Sequence, residues 1–375
     1  MMQAVSPIAV TDEIVAAMTA GAVVAFSVSG GKDSSVAAHA VNVYLDSIGH
    51  PREDRIAVHA DLGRIEWSQS HAICESLAKQ LGVELWTVRH SRHDMISRWE
   101  ERFTRGKARY ANLEIFNLIG PWSSASLRFC TAEMKQQVIS PALKKRFPGR
   151  TIISVIGVRR EESANRASTP VSKQEPRWDG RDGTRLISWN PIVNMLTPEV
   201  FAYHTAHRID LHEAYTRFRS SRVSCTYCVL QKIDDQKASS ACNDNHQNYR
   251  HLVEMEARST FSFQPTRWLA DVSPELLTPG LVSLVEEGKR RCVERRALED
   301  AMPKGLRYTK GWPTRVPTMA EAHQVAAARR VILAHHGLEV AYPSPQSIVR
   351  RFEELMATAR PAANDPLLRR QAAVG

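Results

Sequence analysis

The sequence predicts an α/β protein built on a doubly wound, mostly parallel sheet, with a cysteine-bearing segment and a helical C-terminal extension. Two observations carry that prediction. Short β-prone apolar runs alternate with helical patterns. One of them, Thr151-Ile152-Ile153-Ser154-Val155-Ile156-Gly157-Val158, is apolar almost throughout, as a strand buried on both faces must be. The first strand, Val23-Val24-Ala25-Phe26-Ser27-Val28, runs into Ser29-Gly30-Gly31-Lys32-Asp33-Ser34-Ser35 and then into an Ala/Val-rich helix. A second strand covers 55–63 and ends on Asp61 and Gly63. A helix follows over 66–81, and a third strand over 83–88. Residues 165–186 are polar and predict a mobile loop; a helix starts near Thr197-Pro198-Glu199 with proline in its first turn. Ligands of such sheets sit beyond the carboxyl ends of the strands. The glycine loop, Asp61 and the Gly157 turn all fall there.

Composition narrows the class. At 43% hydrophobic and 24% charged residues, the chain is of the soluble globular type. It has no run of the roughly 18 apolar residues that a membrane span needs and no basic start before an apolar core, so a cytoplasmic protein without a membrane partner is expected. The net charge of +10 favours anionic partners, and residues 301–375 hold eleven Lys/Arg against five Asp/Glu. Prolines 303, 313 and 317 mark a linker. The expected organisation is a nucleotide-binding domain over 1–215, a cysteine-bearing helical region over 216–302, a linker over 303–317 and a basic helical extension over 318–375. Helices are expected within that extension at 319–336 and 347–359, with frayed ends over the last fifteen residues.

Adjacent glycines let backbone approach an anion without a Cβ in the way. The N–H groups of the following helical turn then point at it. Ser29, Ser34 and Ser35 add hydroxyl donors and Lys32 a charge, so the loop is built for a phosphate chain. Gly30 and Gly31 precede the lysine, unlike a Walker A loop. Asp33 and Asp61 are candidate Mg²⁺ ligands, although Asp33 could equally cap the helix. Gly157-Val158-Arg159-Arg160-Glu161-Glu162-Ser163-Ala164-Asn165-Arg166 places forked cations near the nucleotide, with Glu162 able to orient one of them.

Of six cysteines, Cys74 and Cys292 read as core residues, and no disulfide framework is expected. Cys130 and the pair Cys225-Thr226-Tyr227-Cys228 are different, because a Cys-x-x-Cys pair binds one metal or cluster corner readily. Structural zinc, buried thiols and a redox pair are the alternatives. The fourteen histidines, including His90, His93, His335 and His336, are assigned to structure.

Ser-Gly-Gly-Lys-Asp-Ser resembles the loop of the PP-loop ATP pyrophosphatase (adenine nucleotide α-hydrolase) superfamily. Gly-x-Arg-x-x-Glu-Ser-x-x-Arg and Trp189-Asn190-Pro191-Ile192 resemble its phosphoadenosine phosphosulfate (PAPS) reductase branch. The resemblance covers roughly 20–265 and implies ATP and Mg²⁺. Lys32, Asp33, Asp61, Arg159 and Arg166 would be catalytic. Ser29, Gly30, Gly31, Ser34, Ser35, Gly157, Glu162 and Ser163 would cradle the nucleotide. Adenylyl-sulfate reductases of this branch carry a [4Fe–4S] cluster on a Cys-Cys pair and a later Cys-x-x-Cys. Here Phe129 replaces one of these cysteines, so the ligands would be Cys130, Cys225 and Cys228, either with Cys242 or with one iron left open.

The type most similar is the sulfur-activation component of DNA phosphorothioation systems, alongside tRNA-thiolating enzymes. That implies an ATP pyrophosphatase and sulfurtransferase. A sulfur donor such as a cysteine desulfurase would be one partner, and the acceptor would be DNA, RNA or a small metabolite. The alternatives are a PAPS or adenylyl-sulfate reductase and a non-catalytic nucleotide-binding regulator. Against the reductase stand the complete loop and the lack of a Glu-Cys-Gly-Leu-His segment after Cys292.

Overall fold

The computed structural model describes residues 8–308 and 312–363, the last five as backbone alone. Internal contacts divide the chain into two compact units that interleave in sequence. One is formed by residues 1–96 and 123–248, the other by 97–122 and 249–375.

The first unit holds the sheet. Its strands are β1 (Val23–Val28), β2 (Arg55–Asp61), β3 (Glu84–Arg89), β4 (Thr151–Val155), β5 (Ser172–Gln174) and β6 (Arg185–Trp189). Their order is β3-β2-β1-β4-β6-β5, parallel except for β5, which runs antiparallel to β6. Phe26 of β1 lies opposite Ala57 of β2 and Val155 of β4. Val23, Val24, Ala25 and Phe26 are wholly buried, because helices cover both faces of a parallel sheet. The order reverses between β1 and β4, so the loops leaving these two strands lie side by side, as the switch-point rule requires.

The α/β expectation holds. The helix expected at 66–81 begins at Ser70, because a short turn over Gly63–Ile65 precedes it. The polar segment 165–186 is not a loop throughout. It contains β5, whose Ser172 and Gln174 side chains bond Glu13. An edge strand of three residues with polar outward side chains leaves no apolar alternation to read.

The second unit is helical and includes Pro279–Ala301, Met319–His335 and Pro345–Ala363. Its core gathers Leu113, Phe116, Met302, Leu306, Tyr308, Val325, Ile348 and Phe352. Leu306 and Tyr308 are buried there, so the stretch expected as a linker is anchored to this core, while Lys304, Arg307 and Trp312 stay exposed; residues 309–311 lie outside the described residues. Most of the end expected to fray, 364–375, lies outside them as well. Among the described residues no helix is long and apolar enough to cross a membrane.

Candidate functional site

The loop after β1 turns at Gly30, whose φ is +72°, a conformation that glycine adopts without strain. Gly31 then opens the helix Lys32–Ser47, and no side chain caps that helix. The Ser34 hydroxyl turns back to donate to the Gly31 carbonyl (2.8 Å) and accepts from the Ser29 N–H (3.3 Å). This holds the loop closed while the helix N-terminus faces a cavity of about 400 Å³. Gly157 sits against the same turn. A Cβ there would lie 2.5 Å from the Asp33 carbonyl carbon and the Ser34 nitrogen, so only glycine lets the β4 loop approach this closely.

Ser29, Gly31, Asp33, Ser34, Gly157, Glu162, Arg166 and Cys225 line the cavity. Arg166 is ion-paired with Glu162. Gly30 shapes the loop from behind. Ser35 donates to the Gly31 carbonyl (3.2 Å) from a buried position, and Ser163 lies exposed, away from the lining.

Three assignments made from the sequence change. Lys32 does not line the cavity. Its ammonium is buried between the Phe201 and Tyr215 rings and donates to Asp33 (3.1 Å) and the Ser221 carbonyl (3.3 Å). Arg159, 3% exposed, is likewise spent inward. Its guanidinium holds Asp33 (2.7 Å), Glu161 (2.5 Å) and the Met195 carbonyl (3.2 Å). Asp33 therefore already has a cation on each carboxylate oxygen. Asp61 accepts from the Gly63 N–H (2.7 Å), pairs with Arg89 (3.0 Å) and does not line the cavity. The two carboxylates as placed do not fit a shared Mg²⁺, which would have to displace these partners.

Besides Arg166, three cations that sequence reasoning missed line the cavity: Arg128, Lys135 and Arg222. None pairs with a carboxylate among the described residues. Lys135 and its neighbour Gln136 are presented by a π-helical turn, Ala132–Gln136, directly after Cys130, and such turns recur at functional sites. An uncapped helix start and three uncompensated cations around one polar cavity make an anion site. A second cavity of about 470 Å³ lies within the helical unit. Its charged side chains are mostly paired with one another, as in His251–Glu100 (2.7 Å), Arg258–Glu254 (2.8 Å) and Arg291–Glu287 (2.5 Å), so it lacks that character.

The cysteines divide. Cys130, Cys225 and Cys228 are close enough to feel one another's charge, with Lys135 beside Cys225 and Cys228. Burial pushes the Cys225 thiol up to about 12, the neighbouring Cys228 adding to this and Lys135 opposing it. Cys228 is raised by burial as well. The Gln231 side chain holds the turn, accepting from the Cys228 N–H (2.7 Å) and donating to the Cys225 and Thr226 carbonyls (3.3 Å each). Cys242 is elsewhere, buried against Trp67 and Ala214 in an apolar cluster. Among the described residues no three Cys, His, Asp or Glu side chains are gathered as metal ligands. The four-cysteine set as placed therefore does not fit a [4Fe–4S] cluster or a zinc ion.

Behind the cavity, His59 is 1% exposed. Its Nδ1 meets the Val28 carbonyl (3.1 Å) and its Nε2 the cavity-lining Glu66 (3.1 Å). Both partners accept, so both nitrogens donate and the ring is an imidazolium. Burial opposes that charge, but hydrogen bonds to Cys74 and Glu66 outweigh it and push His59 up to about 10. A raised folded value means stability that is complete below the unfolded value near 6.5 and lost as pH climbs toward 10. The Tm advantage of the wild type over His59→Gln is thus expected to shrink steadily between those two pH values. A pH-independent difference in thermal melts would contradict the assignment.

The fold and this loop place a polar, cation-lined cavity at the switch point of a parallel sheet. The family model for the phosphoadenosine phosphosulfate reductase domain matches residues 23–230, more than half of the chain, and the protein belongs to that family. No curated protein matches. Among solved structures, the chain is similar to phosphoadenylyl-sulfate (PAPS) reductase from Candida auris in its phosphate complex. The TM-score is 0.35 at 13% identity, covering 59% of this chain and 89% of that one. It is also similar to the U34-tRNA thiolase NcsA from Methanococcus maripaludis with its [4Fe-4S] cluster. There the TM-score is 0.33 at 14% identity, covering 82% of this chain and 80% of that one.

Proposed function

We propose that the protein binds ATP–Mg²⁺ and adenylates an acceptor oxygen with release of pyrophosphate, preparing that acceptor for sulfur transfer. The observation that carries this reading is the meeting of Arg128, Lys135, Arg222, the glycine loop and Cys225 at one cavity. In the proposed reaction the loop N–H groups and Ser29 hold the phosphate chain, with Mg²⁺ arriving on the nucleotide. The acceptor oxygen attacks the α-phosphorus, and the bond to the β-phosphate oxygen breaks. Arg128, Lys135 and Arg222 offset the charge that develops on the leaving pyrophosphate. A sulfur nucleophile then displaces AMP from the acceptor. Cys225, which lines the cavity, would receive that sulfur with Cys130 and Cys228 nearby, from a donor such as a cysteine desulfurase. The surplus of basic residues over 301–375 supports DNA or RNA as the acceptor class.

Cys225→Ser is expected to reduce sulfur transfer at least about tenfold more than it reduces AMP release. Cys242→Ala, in the apolar cluster, is expected to leave that ratio unchanged. Labelled AMP and acceptor-bound sulfur, measured in parallel, check both. Equal losses of the two activities in Cys225→Ser would remove the cysteine from sulfur handling. Family membership supports a second reading, in which PAPS occupies the same cavity and is cleaved to sulfite.

A further inference from the structure

Beyond the nucleotide pocket itself, the segment that carries Cys225 is fastened to the underside of the loop at two points. The Tyr215 phenol oxygen accepts from the Lys32 N–H (3.2 Å), the first residue of the loop's helix, and from the Val223 N–H (3.0 Å). The Lys32 ammonium lies over the Tyr215 ring and donates to the Ser221 carbonyl (3.3 Å). An imidazole nitrogen of His204 meets the Lys32 carbonyl (2.9 Å), fixing this residue from the other side. The phenol oxygen would lie 3.8 Å, and the Val223 carbonyl 3.7 Å, from a Cβ on Gly31. Beyond the cysteine the chain is anchored again, by Thr226 donating to the Ile65 carbonyl through its N–H (2.7 Å) and its hydroxyl (3.0 Å).

We propose that Tyr215 is a positioning residue that couples occupancy of the loop by a polyphosphate to the placement of Cys225. This rests on the nucleotide reading of the cavity. An anion at the helix N-terminus attracts the first helical N–H groups, that of Lys32 among them. Lys32 cannot move without disturbing Ser221 and Val223, because Lys32 and Tyr215 bond them directly. With Thr226 fixed to Ile65, the displacement falls on the residues between, which include Cys225. A ligand shifts such an arrangement only by its different affinity for two positions of the segment. The contest for the Lys32 N–H between the Tyr215 oxygen and a phosphate supplies that difference. Burial raises the Tyr215 phenol to about 12, so at physiological pH its oxygen accepts from both N–H groups as a neutral phenol.

The test is alkylation of Cys225 by iodoacetamide, mapped by mass spectrometry on the full chain, with and without ATP–Mg²⁺ or inorganic pyrophosphate. ATP binding is measured separately by equilibrium dialysis. In the wild type, ATP is expected to change the Cys225 rate by about fivefold, the scale of one hydrogen bond. In Tyr215→Phe the ring remains, ATP still binds, and the Cys225 rate no longer responds. A merely structural tyrosine would instead raise alkylation at Cys225 and the buried Cys74 together, with or without ATP, and that result overturns the proposal. So does a full ATP response in Tyr215→Phe, or a wild type that binds ATP while Cys225 stays indifferent. If Tyr215→Phe fails to fold, hydrogen exchange on the wild type decides: the Lys32 and Val223 amides share the Tyr215 oxygen and are expected to change protection together when ATP binds, and a change confined to Lys32 overturns the proposal. A wild type that binds neither ATP nor pyrophosphate would instead overturn the nucleotide reading on which the proposal rests.

Discussion

Gly157→Ala is expected to weaken the proposed nucleotide binding sharply and to destabilise the sheet unit measurably. The added carbon would lie 2.5 Å from two backbone atoms of the glycine loop, the Asp33 carbonyl carbon and the Ser34 nitrogen. Neither can rotate away as a side-chain end could, so the β1 loop or the β4 loop must shift. Overpacking of this kind costs about 1–3 kcal/mol, and more when the obstacle cannot yield. The same shift moves the helix N–H groups that would hold phosphate, so ATP affinity is expected to fall at least about tenfold, as a misplaced anion site loses its aligned donors. Gly280→Ala, with no atom within 4 Å of the new carbon, is the control and should be near neutral. Thermal melts and equilibrium binding on the two variants decide the matter. A Gly157→Ala protein with wild-type Tm and wild-type affinity would mean that the two loops are not in contact.

Arg159→Met is expected to be the most damaging single change to a charged residue of this site. The guanidinium is 3% exposed and holds two carboxylates, Asp33 and Glu161, on different segments. Removing one partner of a buried pair costs about 3–5 kcal/mol when the remaining charge is left uncompensated; Asp33 keeps Lys32, so the loss is expected to fall below that range. Here the remaining charge is Asp33, which faces the cavity, so a phosphate would meet an anion held by Lys32 alone. Asp33→Asn in the Arg159→Met background should restore part of both stability and affinity, since the two residues share one interaction. Urea unfolding of the single and double variants measures the coupling. Strict additivity would show that Arg159 does not act through Asp33.

The elements that position the site were legible because each is announced by local chemistry. β1 and β4 are apolar runs, the loop is a glycine turn before a helix, and the switch-point rule brings Gly157 to it. Side-chain fates were not legible where residues far along the chain decide them. Lys32 reads as a phosphate ligand until Phe201, Tyr215 and Ser221 are seen to enclose it, and these lie some 170–190 positions later. Asp33 reads as a metal ligand until Arg159 occupies it. Cys242 could complete the cluster that the family resemblance implies but folds against Trp67. Conversely, Lys135 and Arg222 carried no motif, and only the π-helical turn and the segment before Cys225 bring them to the cavity. The interleaving of the two units escaped a serial reading because residues 97–122 join a core whose other members lie beyond residue 300.

The central claim is that this cavity activates an acceptor with ATP. Its most direct test offers anaerobically purified protein ATP–Mg²⁺ in one reaction and PAPS with a thiol reductant in another, with AMP, pyrophosphate and sulfite followed in both. AMP and pyrophosphate from ATP, without sulfite from PAPS, is the predicted result; sulfite from PAPS with ATP untouched would contradict it.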